Sequence, residues 1–448
     1  MIRSDHDALK SRNRRVPKKQ VAFYIPIGLD SSAFPPHWRD SMHYFLNLIH
    51  WRWINWQADE DRFVNLKYDY LTKVIDKSIW TKLRQRLEVV GVIECDGLCL
   101  DGVKSYGYRL CDRFRKTHRI VCQNDSFSER VLRFQRQRDK VLLPVHYWLR
   151  SHLDLLDFDM AKAREIVSTK QPEVDSSLNA NEYQHLLTDI CERFVNRDQW
   201  LIRDRFGRVH TPVNSLPKEL RSCLSVRGQP LIGVDLSNSQ PLIAGICARQ
   251  FYRNRTARSR LANMEFAESG KPYRYREFAD MEKKAFRTLS KNASARQCNP
   301  GTMTPSQDLQ AYLQCCEFGK LYDSLMEPGA DRQAFKKQFF TDVFFGKNRW
   351  QSPLKQRFEE AYPSVAQMLH RLKEKDHRRS AWVMQCYEST IFIYIIGKRL
   401  SRECPDLPVY SIHDSILTVP EGIDFVEGVI RDEFAKIDVH PTLRRESY

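Results

Sequence analysis

The chain predicts an α+β fold, in which an antiparallel sheet backed by helices follows a smaller helical module that ends in a two-stranded wing. Three observations predict it. Residues 231–234 and 409–419 are apolar runs of strand length, the first followed by Asp235 and the second broken at His413-Asp414. Residues 91–95 and 105–110 flank a glycine-containing turn and directly follow an amphipathic helical stretch. Much of the remainder has helical spacing.

Taken in order, residues 1–22 read as a basic flexible arm. Residues 23–112 read as a winged-helix-like domain. Within it, 41–56 is an aromatic-rich helix, a second helical stretch follows, and Asp76 offers an N-cap for a third. Ile79, Leu83, Leu87 and Val90 recur at helical spacing, with Lys82, Arg84 and Arg86 off that stripe. A winged helix-turn-helix sets such a helix in the major groove, which makes Lys82 and Arg86 candidate duplex contacts. Residues 113–200 predict a helical connector rich in Arg and Lys. Residues 201–448 carry the chemistry. Within them, 249–296 is strongly basic with interleaved Phe251, Tyr252, Tyr273, Tyr275 and Phe278, a composition suited to tracking a nucleic-acid strand.

At 448 residues the chain is too long for one core and predicts two or three domains. Its formal charge of +16 favours a polyanionic partner, because neutralising phosphates releases counterions. The twelve cysteines form no Cys-x-x-Cys pair, which suits reduced thiols in a cytoplasmic protein. The first twenty residues contain no apolar stretch of signal-peptide type, and no window reaches the length of a membrane span.

Four segments carry the candidate site: 204–210 (Asp-Arg-Phe-Gly-Arg-Val-His), 231–241 around Asp235, 334–346 around Lys337 and Phe345, and 410–420 around Asp414. Acidic residues at the ends of two hydrophobic strands are what two-metal phosphoryl transfer needs, since ions about 4 Å apart require shared carboxylates. Carboxylate oxygens suit Mg²⁺. Residues 334–345 read as a helix with Lys336 and Lys337 near its start and a dense aromatic face. Lys337 and Phe345 lie eight positions apart, about two turns, so both would face one groove.

Together these residues resemble the family A polymerases, which include bacterial DNA polymerase I and the single-subunit phage and mitochondrial RNA polymerases. Motif A, a strand ending in Asp-x-Ser, is matched by Asp235-Leu236-Ser237. Motif B, Lys then seven residues then Tyr-Gly, is matched by Lys337 with Phe345-Gly346. Motif C, His-Asp in a hairpin, is matched by His413-Asp414. A Tyr-Pro-x-Val segment is matched at Tyr362-Pro363-Ser364-Val365, and a palm-helix Gln by Gln385. The resemblance covers roughly residues 200–440. It implies a right-hand polymerase palm with helical fingers, at about 249–350, and a thumb-like region at 113–200.

The resemblance also implies two Mg²⁺ ions, with Mn²⁺ able to replace them, held by Asp235, Asp414 and the Leu236 carbonyl. Lys337, with Arg332 and Lys336 beside it, would bind a nucleoside triphosphate, and Phe345 and Gln240 would meet its base and sugar. Asp204, Arg208, Gln385 and His413 would hold the template DNA and growing strand. Asp204-x-x-Gly207-Arg208 is similar to a motif of the RNA polymerase branch. Gln240 is nearer in bulk to the Glu by which DNA polymerases crowd a ribose 2′-hydroxyl. The expectation is a DNA-templated polymerase making DNA, with an RNA polymerase or primase as the alternative. A DNA-binding initiator or regulator with an inactive palm would have no need for both aspartates and Lys337. Two departures stand out: Gln333 occupies the place of the family's Arg before the motif B Lys, and Phe345 lacks the usual Tyr hydroxyl.

Overall fold

The computed structural model describes residues 21–55, 63–100, 104–172, 178–197, 200–253 and 307–448. Of the arm expected at 1–22, residues 1–20 lie outside the described residues, as does most of the basic aromatic stretch, 254–296, while Val21 is buried and Ala22 opens the first strand. The chain divides into two compact units, 1–140 and 141–448.

In the first unit, β1 (Ala22–Pro26) is followed by α1 (Arg39–Ile54), β2 (Val64–Asn65), α2 (Tyr68–Leu71), α3 (Lys77–Val89), β3 (Ile93–Cys95) and β4 (Gly107–Leu110), then β5 (Thr117–Val121) and α4 (Asp125–Asp139). Asp76 caps α3 by accepting from the Ser78 amide at 2.8 Å. The helix buries Trp80, Leu83 and Leu87 and leaves Lys82 and Arg86 exposed. Trp80, which the stripe reading passed over in favour of Ile79, is the anchor. Its ring meets Phe45 edge-on at 4.7 Å, and Phe45 meets Tyr108 at 5.3 Å. The sheet order is β2-β4-β3, all antiparallel, with Ile93 opposite Leu110. Two residues of β2 thus join the two expected wing strands.

The division at 140 departs from the boundary expected near 112. β5 pairs along its whole length with β1, from Ala22–Val121 to Pro26–Thr117, and α4 buries Phe127 and Val131 in the same core. Residues 113–140 therefore complete the first unit. Residues 141–200, the rest of the expected connector, fold with the second.

The second unit opens with α5 (Pro144–Leu153), β6 (Leu156–Phe158), α6 (Met160–Ser168) and α7 (Ala180–Val195). It continues through the hairpin β7 (Ile202–Arg203) and β8 (Val209–His210), the short strands β9 (Leu224–Val226) and β10 (Gln229–Pro230), and β11 (Ile232–Leu236). Helices α8 (Ser239–Arg253), α9 (Gln307–Glu317), α10 (Arg332–Phe339), α11 (Pro353–Ala361), α12 (Pro363–Lys373) and α13 (Arg379–Ser389) follow. The chain closes with β12 (Val409–Ile412), β13 (Ser415–Thr418), α14 (Ile423–Ala435) and β14 (Leu443–Ser447). The central sheet has the order β12-β13-β11-β14, antiparallel throughout. Helix α14 packs on β11 and β13, and α5 packs on β12. This is an antiparallel sheet backed by helices, as the apolar runs predict. The edge strand β14 has no buried residue, no alternation and no apolar run, so a hydrophobic pattern does not mark it.

Candidate active site

Asp235 lies on β11, opposite Ser415 of β13 on one side and Arg444 of β14 on the other. Asp414 is the second residue of the two-residue turn between β12 and β13, closed by the pair Ile412–Ser415. The hairpin register thus brings the two carboxylates to one end of adjacent strands. His413, first in that turn, has φ 54°, a conformation usually given to glycine there. Asn238, three residues past Asp235, has φ 52°. Both loops flanking the carboxylates hold a non-glycine residue in the left-handed region, at a backbone cost characteristic of functional sites.

The electrostatics follow from burial without neutralisation. Burial, and then the charge of Asp414, push Asp235 up to about 7. Burial also raises Asp414, while Ser239, Arg208 and Lys336 act to lower it. Around the pair, Ser237 Oγ, Asn238 Nδ2, Ser415 Oγ, His413 Nδ1, Arg208 Nε and Glu388 Oε1 are buried with no hydrogen-bond partner. Native interiors rarely leave so many polar atoms unpaired in one place. An all-oxygen site of two crowded carboxylates fits Mg²⁺. Among the described residues no group of three or more His, Cys, Asp or Glu could hold an ion by itself. Ions here would complete their shells with water and substrate phosphate, and Leu236, whose side chain is buried, could contribute only its carbonyl.

Of the two lysines on α10, Lys336 is the one whose charge acts on both aspartates, lowering the pKa of each. Lys337, the expected triphosphate lysine, lies one residue further round the helix, and both lysines are exposed. Past both lysines, α10 runs into a π-turn, Phe340–Phe344, closed by the Phe345 amide donating to the Phe340 carbonyl at 2.9 Å. A π-turn absorbs one extra residue, so positions nine apart across it align as eight apart do on an uninterrupted helix. Lys336 then stands in register with Phe345, and Arg332 falls four residues before it, which removes the departure at Gln333. Arg332 pairs with Asp323 and lies over the Tyr322 ring at 5.8 Å. Phe345 is half-buried and stacked on Phe340 at 5.5 Å. A Cβ at Gly346 would stand 2.6 Å from the Thr341 carbonyl oxygen, so only glycine can follow the turn.

The β7–β8 hairpin supplies a second cation. Asp204 does not reach outward: its carboxylate accepts from the amides of Phe206 at 2.8 Å and Arg208 at 3.0 Å, and pairs with His210 at 3.1 Å. That cap shapes the turn, and Gly207 at φ 84° makes the backbone reversal. The hairpin aims Arg208 inward, where Nη2 donates to Glu388 at 2.8 Å. The expected duplex contact is thus an ion pair within the fold. Glu388 is 2% exposed. Burial pushes it up to about 7, Arg208 opposes, Asp414 adds, and the Gln240 side chain lies beside it. Burial, with Arg208 and His210, holds His413 down to about 4, so its ring is neutral near pH 7. That ring meets His210 edge-on at 5.9 Å.

The structure therefore gathers Asp235, Asp414, Lys336, Arg208, Gln240 and His413. Gln385, the expected palm-helix residue, is half-buried on α13. One turn further on, Glu388 is the residue that meets Arg208 and Gln240. The signal for it in the sequence was a lone carboxylate running into the apolar residues 391–393. Lys82 and Arg86 lie on α3 in the first unit.

No family model matches the chain, and no curated protein matches it. Among solved structures, it is similar to the POL domain of Pol1 from M. smegmatis, in complex with DNA primer-template and dNTP. That match has 10% identity and a TM-score of 0.32, and covers 72% of this chain and 73% of that one. Among the described residues no helix is long and apolar enough to cross a membrane.

Proposed function

We propose that the protein is a template-directed nucleic-acid polymerase that transfers nucleotides from nucleoside triphosphates to a 3′-hydroxyl on a DNA template. The observation that carries this reading is the pair Asp235 on β11 and Asp414 in the adjoining β12–β13 turn, half-buried, each raised by burial, with the charge of Lys336 acting on both. The four-stranded sheet is then the palm. Mg²⁺ or Mn²⁺, held between Asp235 and Asp414, would lower the pKa of the attacking hydroxyl and offset the charge of the leaving pyrophosphate. Lys336 meets the triphosphate and Arg332 extends the cationic side of that helix. Phe345 packs against the nucleoside. Arg208 and Glu388 brace the far side of Asp414, and His413 sets the turn.

Gln240 holds bulk where a ribose 2′-hydroxyl would lie, which favours a DNA product. The Asp204–Arg208 hairpin favours a second reading, RNA synthesis by an RNA polymerase or primase. The first unit, with α3 presenting Lys82 and Arg86, is read as a winged helix gripping duplex DNA.

Extension of a primed template with Mg²⁺ and separate dNTP or rNTP pools tests both points. The wild type should extend with one pool, and Asp414→Asn should lower the rate by at least about a thousandfold, the scale of losing several kcal/mol of charge stabilisation. Near-normal extension by both Asp414→Asn and Asp235→Asn would overturn the reading.

A further inference from the structure

We infer that Trp350 is a stacking platform for an unpaired nucleic-acid base, on a loop whose backbone is held in place to present it. The inference rests on the polymerase reading for the identity of the strand, which would be the single-stranded template ahead of the duplex.

The loop, residues 347–352, follows directly on Phe345-Gly346. Trp350 is five residues past Phe345, so at most about 18 Å of chain separates them. The Trp350 ring is 58% exposed. Lys347 and Arg349 on the same loop are exposed as well. An aromatic ring beside cations is the unit by which proteins hold single strands without sequence preference: the ring stacks on a base while the cations meet phosphates. An apolar protein partner would gain little from the flanking charges.

What distinguishes this loop from an ordinary exposed turn is how it is tied. Lys355 is 1% exposed, and its Nζ donates to the carbonyls of Asn348 at 2.8 Å and Trp350 at 2.7 Å. Glu359 lies 3.8 Å from the same ammonium. Asn348 Nδ2 donates to the His370 carbonyl at 2.9 Å, and the Trp350 amide to the Lys347 carbonyl at 3.0 Å. Burying an ammonium is costly, and here it serves to bind two carbonyls of a surface loop. A backbone so held leaves the loop little freedom to lose on stacking, which favours a strong contact.

The test uses the full chain and fluorescence anisotropy without nucleoside triphosphate, comparing a blunt duplex with the same duplex carrying a 5′ single-stranded overhang. Wild type should bind the overhang substrate more tightly. Trp350→Ala should weaken that binding about tenfold, the scale of one lost base–aromatic stack, and leave the blunt duplex unchanged. Trp350→Phe should restore most of it, and Lys355→Met, which frees the loop, should lose part. Equal loss on both substrates, or none, would overturn the inference. If wild type extends primers while Trp350→Ala binds overhangs normally, the inference alone fails. If wild type neither extends primers nor prefers overhangs, the polymerase reading fails with it.

Discussion

Asp96 and Asp414 each sit just past a short antiparallel strand, and their surroundings treat them in opposite ways. At Asp96, just past β3 in the β3–β4 hairpin, burial raises the pKa, but Lys104 at 2.8 Å and the amides of Gly107 and Leu98 outweigh it and leave the group lowered. At Asp414 burial wins and the group is raised. The first carboxylate is satisfied by its own hairpin and holds the turn together. The second is surrounded by polar atoms without partners and a strained His413. An acidic residue at a strand end is therefore a structural cap when its neighbours spend its charge, and a candidate ligand when they leave it unspent.

The comparison can be broken most sharply by activity. Asp96→Asn should leave primer extension within about twofold of wild type, whereas Lys336→Ala should raise the KM for nucleoside triphosphate by about a hundredfold, as expected for a charge-assisted phosphate contact of ~1.5–3 kcal/mol. Lys337→Ala should change it by less than about threefold. Equal effects from the two lysines would restore the uninterrupted-helix register and remove the role assigned to the π-turn.

A smaller effect is expected on duplex affinity. Lys82→Ala combined with Arg86→Ala should weaken binding about tenfold at low salt and make the salt dependence shallower by about two charges, with kcat retained. An unchanged salt slope would make the first unit a packing or protein-contact module.

The smallest effects are on stability, and their signs are opposite. Asp235 has a folded pKa near 7, above its ordinary value of 3.8. The folded state therefore holds more protons between about pH 4 and 7 than the unfolded state, and its stability falls as the pH rises through that window. The full cost stands at pH 8. Asp96 is lowered, so its contribution is present above its ordinary pKa and lost as the pH falls through the lowered value. At pH 8 without divalent ions, Asp235→Asn should raise Tm by about 3 °C and Asp96→Asn should lower it by a similar amount, about 1 kcal/mol each. A fall in Tm for Asp235→Asn would show that its carboxylate is already neutralised in the fold.

The sequence by itself determined the strands that carry the chemistry, because Leu231 to Val234 and the segment around His413-Asp414 are apolar runs closed by acids, a pattern set by burial and by the strand period. It also determined α3, through the Asp76 cap and the Leu83 and Leu87 spacing, and the position of the β3–β4 hairpin. Only the tertiary structure decided which lysine stands in register with Phe345, since a single π-turn between Phe340 and Phe344 shifts the helical register by one residue and leaves no local mark in composition. It alone decided that Arg208 turns inward to Glu388, because a contact between residues 180 positions apart depends on how the β7–β8 hairpin meets α13. It also assigned residues 113–140 to the first unit, where β5 closes on β1: pairing between strands distant in sequence is written in neither one alone.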